Sequence, residues 1–240
     1  MPKLVINTIL LLSSLKLLLV AANPDILDAL NGVCPANCVG DALPAPKNGI
    51  FPYSNGCLIP EFKQGKDFSP YGYFKSCCDL HSACYMACGI EKKTCDEHFT
   101  DCMINQCKSQ LDEEECTITA REFAMAQKLN GCNTFKKYQM YMCQCYDPDE
   151  AHEIVKDYAQ NFFGKYNTTH NFPENVAKKY FDKKPNSKMH GDLLYRLFKR
   201  YPESIEKIAS DGKTQKKVFM PQPRTSDETP NDDEEENDEL

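Results

Sequence analysis

The chain has 240 residues, 14 cysteines and a formal charge of −7. That charge lies at one end: without Lys3 and Lys16 the total is −9, and residues 226–240 alone hold nine Asp and Glu and no Lys or Arg. The remaining stretch, 23–225, is neutral and offers no basic surplus, so no nucleic-acid partner is expected.

Residues 1–22 have the form of a secretory signal peptide. Lys3 begins it, residues 10–20 form its apolar core, and Val20-Ala21-Ala22 makes a small-residue cleavage site. Lys16 interrupts the apolar run, which stays short of the ~18 residues that span a bilayer. The compartment this implies is extracellular, with the endoplasmic reticulum lumen as alternative. All the cysteines fall between Cys34 and Cys145. An even count in a secreted chain predicts a disulfide framework of seven bridges rather than zinc ligation at Cys34-x3-Cys38 or Cys143-x-Cys145.

Residues 23–38 are long enough for one short helix. Residues 41–70 carry five prolines and three glycines with no sustained period, and read as a loop. Such a loop is usually pinned or functional, and Cys57 can pin it to Cys78. In the next stretch, FKSCCDLHSACYMACGIEKKTCDEHFTDCMINQC, the residues Cys77, His81, Cys84 and Cys88 recur at helical spacing on one face. Gly89 is a candidate C-cap, and residues 90–94 are a turn. Cys95, Phe99 and Cys102 repeat the spacing on a second helix, where the polar Gln106 ends the stripe. Helices joined so closely run antiparallel, and contacting residues then share one index sum. Cys77–Cys102 and Cys84–Cys95 satisfy the same sum, which places Asp96 across from His81.

Further on, residues 112–116 are acidic, 117–130 helical, and 138–145 a short apolar run. Cysteine usage stops near residues 146–148. This puts a disulfide domain over 23–146, a helical C-terminal extension over 147–211 and a disordered acidic tail over 212–240. The extension predicts helices at 148–165, 173–183, 190–201 and 202–210. Leu193, Leu194, Leu197, Phe198 and Tyr201 share one face among Arg196, Lys199 and Arg200. Docking of that face on the disulfide core is favoured over a membrane surface. Asn167-Thr168-Thr169 is an N-glycosylation acceptor.

The cysteine-rich motifs resemble those of secreted phospholipases A2. CCDLHSACYMACG resembles the active-site helix of that family, and CDEHFTDC its second helix. NGCLIP resembles the calcium loop of the group XII branch, and ECTITAREFAMAQKLNGC followed by MCQC its C-terminal cysteine-bounded segment. The resemblance covers about residues 34–146 and implies a mainly α, disulfide-rich fold built on an antiparallel helix pair with cysteine-pinned loops. It also implies calcium-dependent hydrolysis of the sn-2 ester of glycerophospholipids at a membrane surface. In that reaction His81 is the general base, Asp96 orients the imidazole and Tyr85 supports Asp96. Gly56, Leu58 and Pro60 would offer carbonyls to Ca2+.

Two positions depart from the family pattern. Ser82 stands where the family has the Asp that binds Ca2+ with both carboxylate oxygens, and Leu58 stands where it has a glycine. Both argue for low or no calcium-dependent activity, and the alternative is a catalytically silent lipid- or protein-binding homologue. The chain ends Asn-Asp-Glu-Leu, which matches three of the four positions of the luminal retention signal K-D-E-L, so a retention receptor is a candidate partner.

Overall fold

The computed structural model describes residues 34, 38–54, 56, 69–166 and 173–207. The signal segment, Cys57, Leu58, Pro60, Asn167 and the acidic tail lie outside the described residues.

Seven α-helices occur among the described residues. The central pair is α1 (Lys75–Met86) and α2 (Lys92–Cys107), with a six-residue 3-10 turn at Ser69–Phe74 leading into α1. Cys77–Cys102 and Cys84–Cys95 cross-link them, each with Cα atoms 5.7 Å apart, so the two helices run antiparallel in the register that the index sum requires. The helix ends at Met86, with Ala87 as C-cap, before Cys88, which instead bonds Cys143. Gly89 lies in the following turn rather than at the cap. Its φ is +91°, and an added Cβ would come within 2.3 Å of the Ser187 carbonyl oxygen. The turn therefore needs glycine twice over, for its backbone and for a neighbour.

The buried stripe of α2 does not stop at Gln106. It runs Lys92, Cys95, Asp96, Phe99, Met103 and Cys107, because steps of three and four residues carry the face past the polar position. Cys107–Cys116 then closes the turn into α3 (Glu113–Asn130). The acidic run 112–116 belongs to the start of that helix. The Asp112 carboxylate accepts from the Glu115 amide at 2.9 Å, and the glutamates of the first turn face the positive end of the helix dipole.

Several elements were not legible as such. Residues 132–142 form α4 (Cys132–Met142), and the supposed loop contributes two strands. β1 (Leu43–Pro46) pairs antiparallel with β3 (Cys143–Tyr146), while β2 (Tyr53–Ser54) pairs in parallel with β4 (Glu206–Lys207). Proline at Pro44 and Pro46 suits the rim of a two-stranded ribbon, where no second neighbour needs its missing N–H. Cys34–Cys132 and Cys38–Cys145 tie the amino-terminal segment to α4 and β3. Cys78 is also disulfide-bonded, and no described cysteine is free.

The extension is helical: α5 (Pro148–Tyr166), α6 (Glu174–Phe181) and α7 (Ser187–Arg200). The last helix expected from sequence, 202–210, is instead a short 3-10 turn at Pro202–Ser204 followed by β4. Leu193, Leu194, Leu197 and Phe198 are all at most 1% exposed, in one core with Ala83, Met86, Val155 and Phe162. Burial on that scale stabilises by roughly 1.5–3 kcal/mol per side chain. The apolar face of α7 is thus occupied by the core and is not left for a membrane. A second cluster, with Phe74, Phe99, Met103 and Ala120, fills the space between α1, α2 and α3. No helix among the described residues is long and apolar enough to cross a membrane.

Candidate active site

His81 and Tyr85 are one turn apart on α1, so both rings project from the side that faces α2. The two interhelical disulfides, at Cys77 and Cys84, lie on either side of His81 along α1. His81 Nε2 is 3.0 Å from Asp96 Oδ1, and the Tyr85 hydroxyl donates to the same oxygen at 2.6 Å. All three residues are buried. Since an ionised carboxylate only accepts, Nε2 carries the imidazole proton and Nδ1 remains the acceptor. The imidazole stacks on Phe99, with ring centroids 4.4 Å apart, and packs against Tyr85 at 4.2 Å. Gln139 of α4 donates to the carbonyls of Tyr85 and Ala87, which satisfies the open end of α1.

The electrostatics follow from burial and pairing. Burial lowers the pKa of His81 and outweighs the Asp96 hydrogen bond and charge, which act to raise it; the Lys92 charge lowers it further. For Asp96 burial acts upward. It is overcome by the His81 hydrogen bond, by the charge and hydrogen bond of Lys92, and by Tyr85, so the carboxyl is held below its usual range. Burial and the neighbouring Asp96 push the Tyr85 hydroxyl up.

Lys92 was not singled out from sequence. It enters from the first turn of α2, and its side chain is 0% exposed. Its ammonium donates to Asp96 Oδ2, to the Gln127 carbonyl at 3.1 Å and to the Lys128 carbonyl at 3.2 Å. Its three donors meet three acceptors, two of them at the negative end of α3. Gly131 leaves room for this: an added Cβ would lie 2.6 Å from Lys92 Cε, 2.7 Å from the Tyr85 hydroxyl and 2.5 Å from the Gln127 carbonyl oxygen. The i, i+4 spacing of Lys92 and Asp96 was a visible signal, but the same spacing usually marks an exposed pair.

Near the position expected to hold Ca2+, the donors have other partners. Ser82 is hydrogen-bonded to the Tyr138 hydroxyl. Asp79 accepts from Ser54 Oγ at 2.7 Å and pairs with Lys75 at 3.0 Å and with Lys207 at 3.6 Å. Gly56 has φ +79° and donates its amide to Ser54 Oγ at 3.0 Å. Among the described residues no group of three or more His, Cys, Asp or Glu gathers to hold a metal. One neutral hydroxyl and a carboxylate already bound to two lysines do not fit a cation that takes six to eight oxygen ligands.

A cross-linked helix pair enclosing a buried His–Asp pair, within a mainly helical disulfide framework, defines a disulfide-rich fold of the secretory phospholipase A2 type. The sequence model of the Group XII secretory phospholipase A2 precursor family matches residues 18–154, and the chain belongs to that family. Group XIIA secretory phospholipase A2 of Mus musculus is 29% identical over 129 residues, covering 50% of this chain and 67% of the relative. The Homo sapiens protein of the same description is 28% identical over 130 residues, covering 51% and 68%. No solved structure matches the chain. The family match ends within α5, so α6 and α7 lie beyond it.

Proposed function

We propose that this chain acts at phospholipid surfaces as a secreted family member in which calcium-dependent hydrolysis of the sn-2 ester is weak or lost. The observation that carries the reading is the engagement of the oxygens beside His81. Ser82 bonds Tyr138, and Asp79 bonds Ser54, Lys75 and Lys207. Asp79, the carboxylate one turn before Ser82 on α1, is thus engaged by other partners and not free for the metal on which the family's chemistry depends.

The remaining machinery has defined roles. His81 Nδ1 is the general base that takes a proton from water, and Asp96 holds the tautomer and stabilises the imidazolium. Tyr85 fixes the Asp96 oxygen that faces His81. Here the imidazolium would form near a second cation, Lys92, whose charge already balances Asp96. Both Lys92 and the burial of the ring make proton uptake less favourable.

The intact His81–Asp96–Tyr85 arrangement favours a second reading, an active enzyme with unusual metal chemistry. A silent homologue that binds lipid or a protein partner is the limiting form of the first. Calorimetric titration of Ca2+ beside an sn-2 ester assay separates them. Heat of binding at micromolar Ca2+, together with ester hydrolysis, would replace the first reading by the second.

The proposed location is extracellular, with glycosylation at Asn167. Retention in the reticulum lumen through the terminal Asn-Asp-Glu-Leu is the alternative. Deleting residues 238–240 and comparing medium with lysate tests it; an unchanged secreted fraction would rule retention out.

A further inference from the structure

We propose that Lys92 is a positioning residue that fixes the Asp96 carboxylate opposite His81 and ties the pair to the carboxyl end of α3. The proposal rests on the reading of His81 and Asp96 as a dyad.

Most lysine–carboxylate pairs one turn apart on a helix are solvated. Lys93–Glu97 in this same helix is 61% and 64% exposed, and Lys178–Glu174 is 66% and 82% exposed. Such pairs stabilise little. Lys92 differs in kind, because its side chain is 0% exposed and Asp96 is 9% exposed. Burying an ammonium costs several kcal/mol unless every donor is met, and here the three acceptors come from two helices. The Asp96 carboxylate is thereby divided. Oδ1 accepts from His81 and Tyr85 of α1, whereas Oδ2 accepts from Lys92 of its own helix. The Gln127 and Lys128 carbonyls of α3 enter this network through Lys92. A carboxylate held on both oxygens from different directions cannot turn, so the oxygen facing the imidazole is fixed. Neither α1 nor α2 would do this alone.

The full-length mature protein, labelled with 15N and 13C, provides two readouts that need no lipid. The first is the Lys92 ammonium resonance. It is expected in slow exchange at neutral pH, absent from Lys92→Met, and broadened away in Asp96→Asn. The second is the Asp96 carboxyl carbon, whose titration midpoint is expected to rise by about one unit or more in Lys92→Met. A lysine that merely fills space would leave that midpoint unmoved. No slow-exchanging ammonium in the wild type, or equal midpoints, would overturn the proposal. If Lys92→Met fails to fold, the wild-type resonance and its loss in Asp96→Asn decide the matter. Neither readout depends on hydrolysis, so a silent protein that gives both signals keeps the placement of Lys92, and an active one without them loses it.

Discussion

His81 and Asp96 sit on different helices, yet their 3.0 Å contact is bracketed by two covalent bridges, Cys77–Cys102 and Cys84–Cys95. The geometry of the pair is therefore set by the disulfide register as well as by packing. This explains how a site can keep its form whether or not it works: the same bridges that build the fold build the dyad.

The first prediction concerns those bridges. The Cys84–Cys95 link closes a short loop, with a sequence separation of 11, and by loop-closure entropy its removal costs about 3 kcal/mol. Denaturant unfolding of the Cys84→Ser/Cys95→Ser variant should show a loss of that order. An unchanged midpoint would mean that packing alone sets the register.

A second prediction uses the histidines of the extension. His152 and His190 are buried and 2.9 Å apart, and His152 Nε2 meets the Phe181 carbonyl at 3.1 Å. His152 Nε2–H thus donates to that carbonyl, and His190 Nε2–H donates to His152, which leaves His190 Nδ1 buried with no partner. Burial, with the neighbouring His152, lowers His190 from 6.5 to about 4. The unfolded chain then binds the extra proton between those values, so stability is complete above about 6.5 and falls as pH drops toward 4. The loss reaches about 3 kcal/mol. His190→Phe should flatten the unfolding midpoint between pH 7 and 5, and an equally steep fall in that variant would contradict the assignment.

The sequence made the helix pair legible because disulfides and helical spacing constrain the same residues twice. His81 and Asp96 followed from a counting argument. The two ribbons did not, since strands of two to four residues show no period, β1 is half proline, and β2 finds its partner some 150 residues away. α4 was hidden because Cys132 and Gly131 resemble a turn, although the helix simply restarts there. Lys92, Ser82 and Tyr138 take their roles from burial and from neighbours distant in sequence, which a single chain of letters does not display.

Gly131 offers a third test. Gly131→Ala places a Cβ against Lys92, the Tyr85 hydroxyl and the Gln127 carbonyl. Overpacking of this kind costs about 1–3 kcal/mol. Thermal unfolding should register the loss, and a neutral substitution would show that the junction of α3 and α4 yields more readily than its contacts suggest.

A fourth prediction addresses the metal position. Ser82→Asp breaks the bond to Tyr138 and buries a charge. The variant should unfold earlier than wild type in chelator and regain stability with added Ca2+, with calcium affinity raised roughly tenfold or more. Hydrolysis need not return, because Leu58 still stands in the loop. Equal calcium affinity in the two proteins would show that Ser82 is not the limiting ligand.

The proposed function has the dyad persist while calcium-dependent lipolysis is weak or lost. Its most direct test is sn-2 fatty acid release from phosphatidylglycerol vesicles, comparing wild type with His81→Gln across a calcium titration. Wild-type release is expected to stay at or close to the His81→Gln level and not to climb with calcium. Release that rises at micromolar calcium and vanishes in His81→Gln would contradict it.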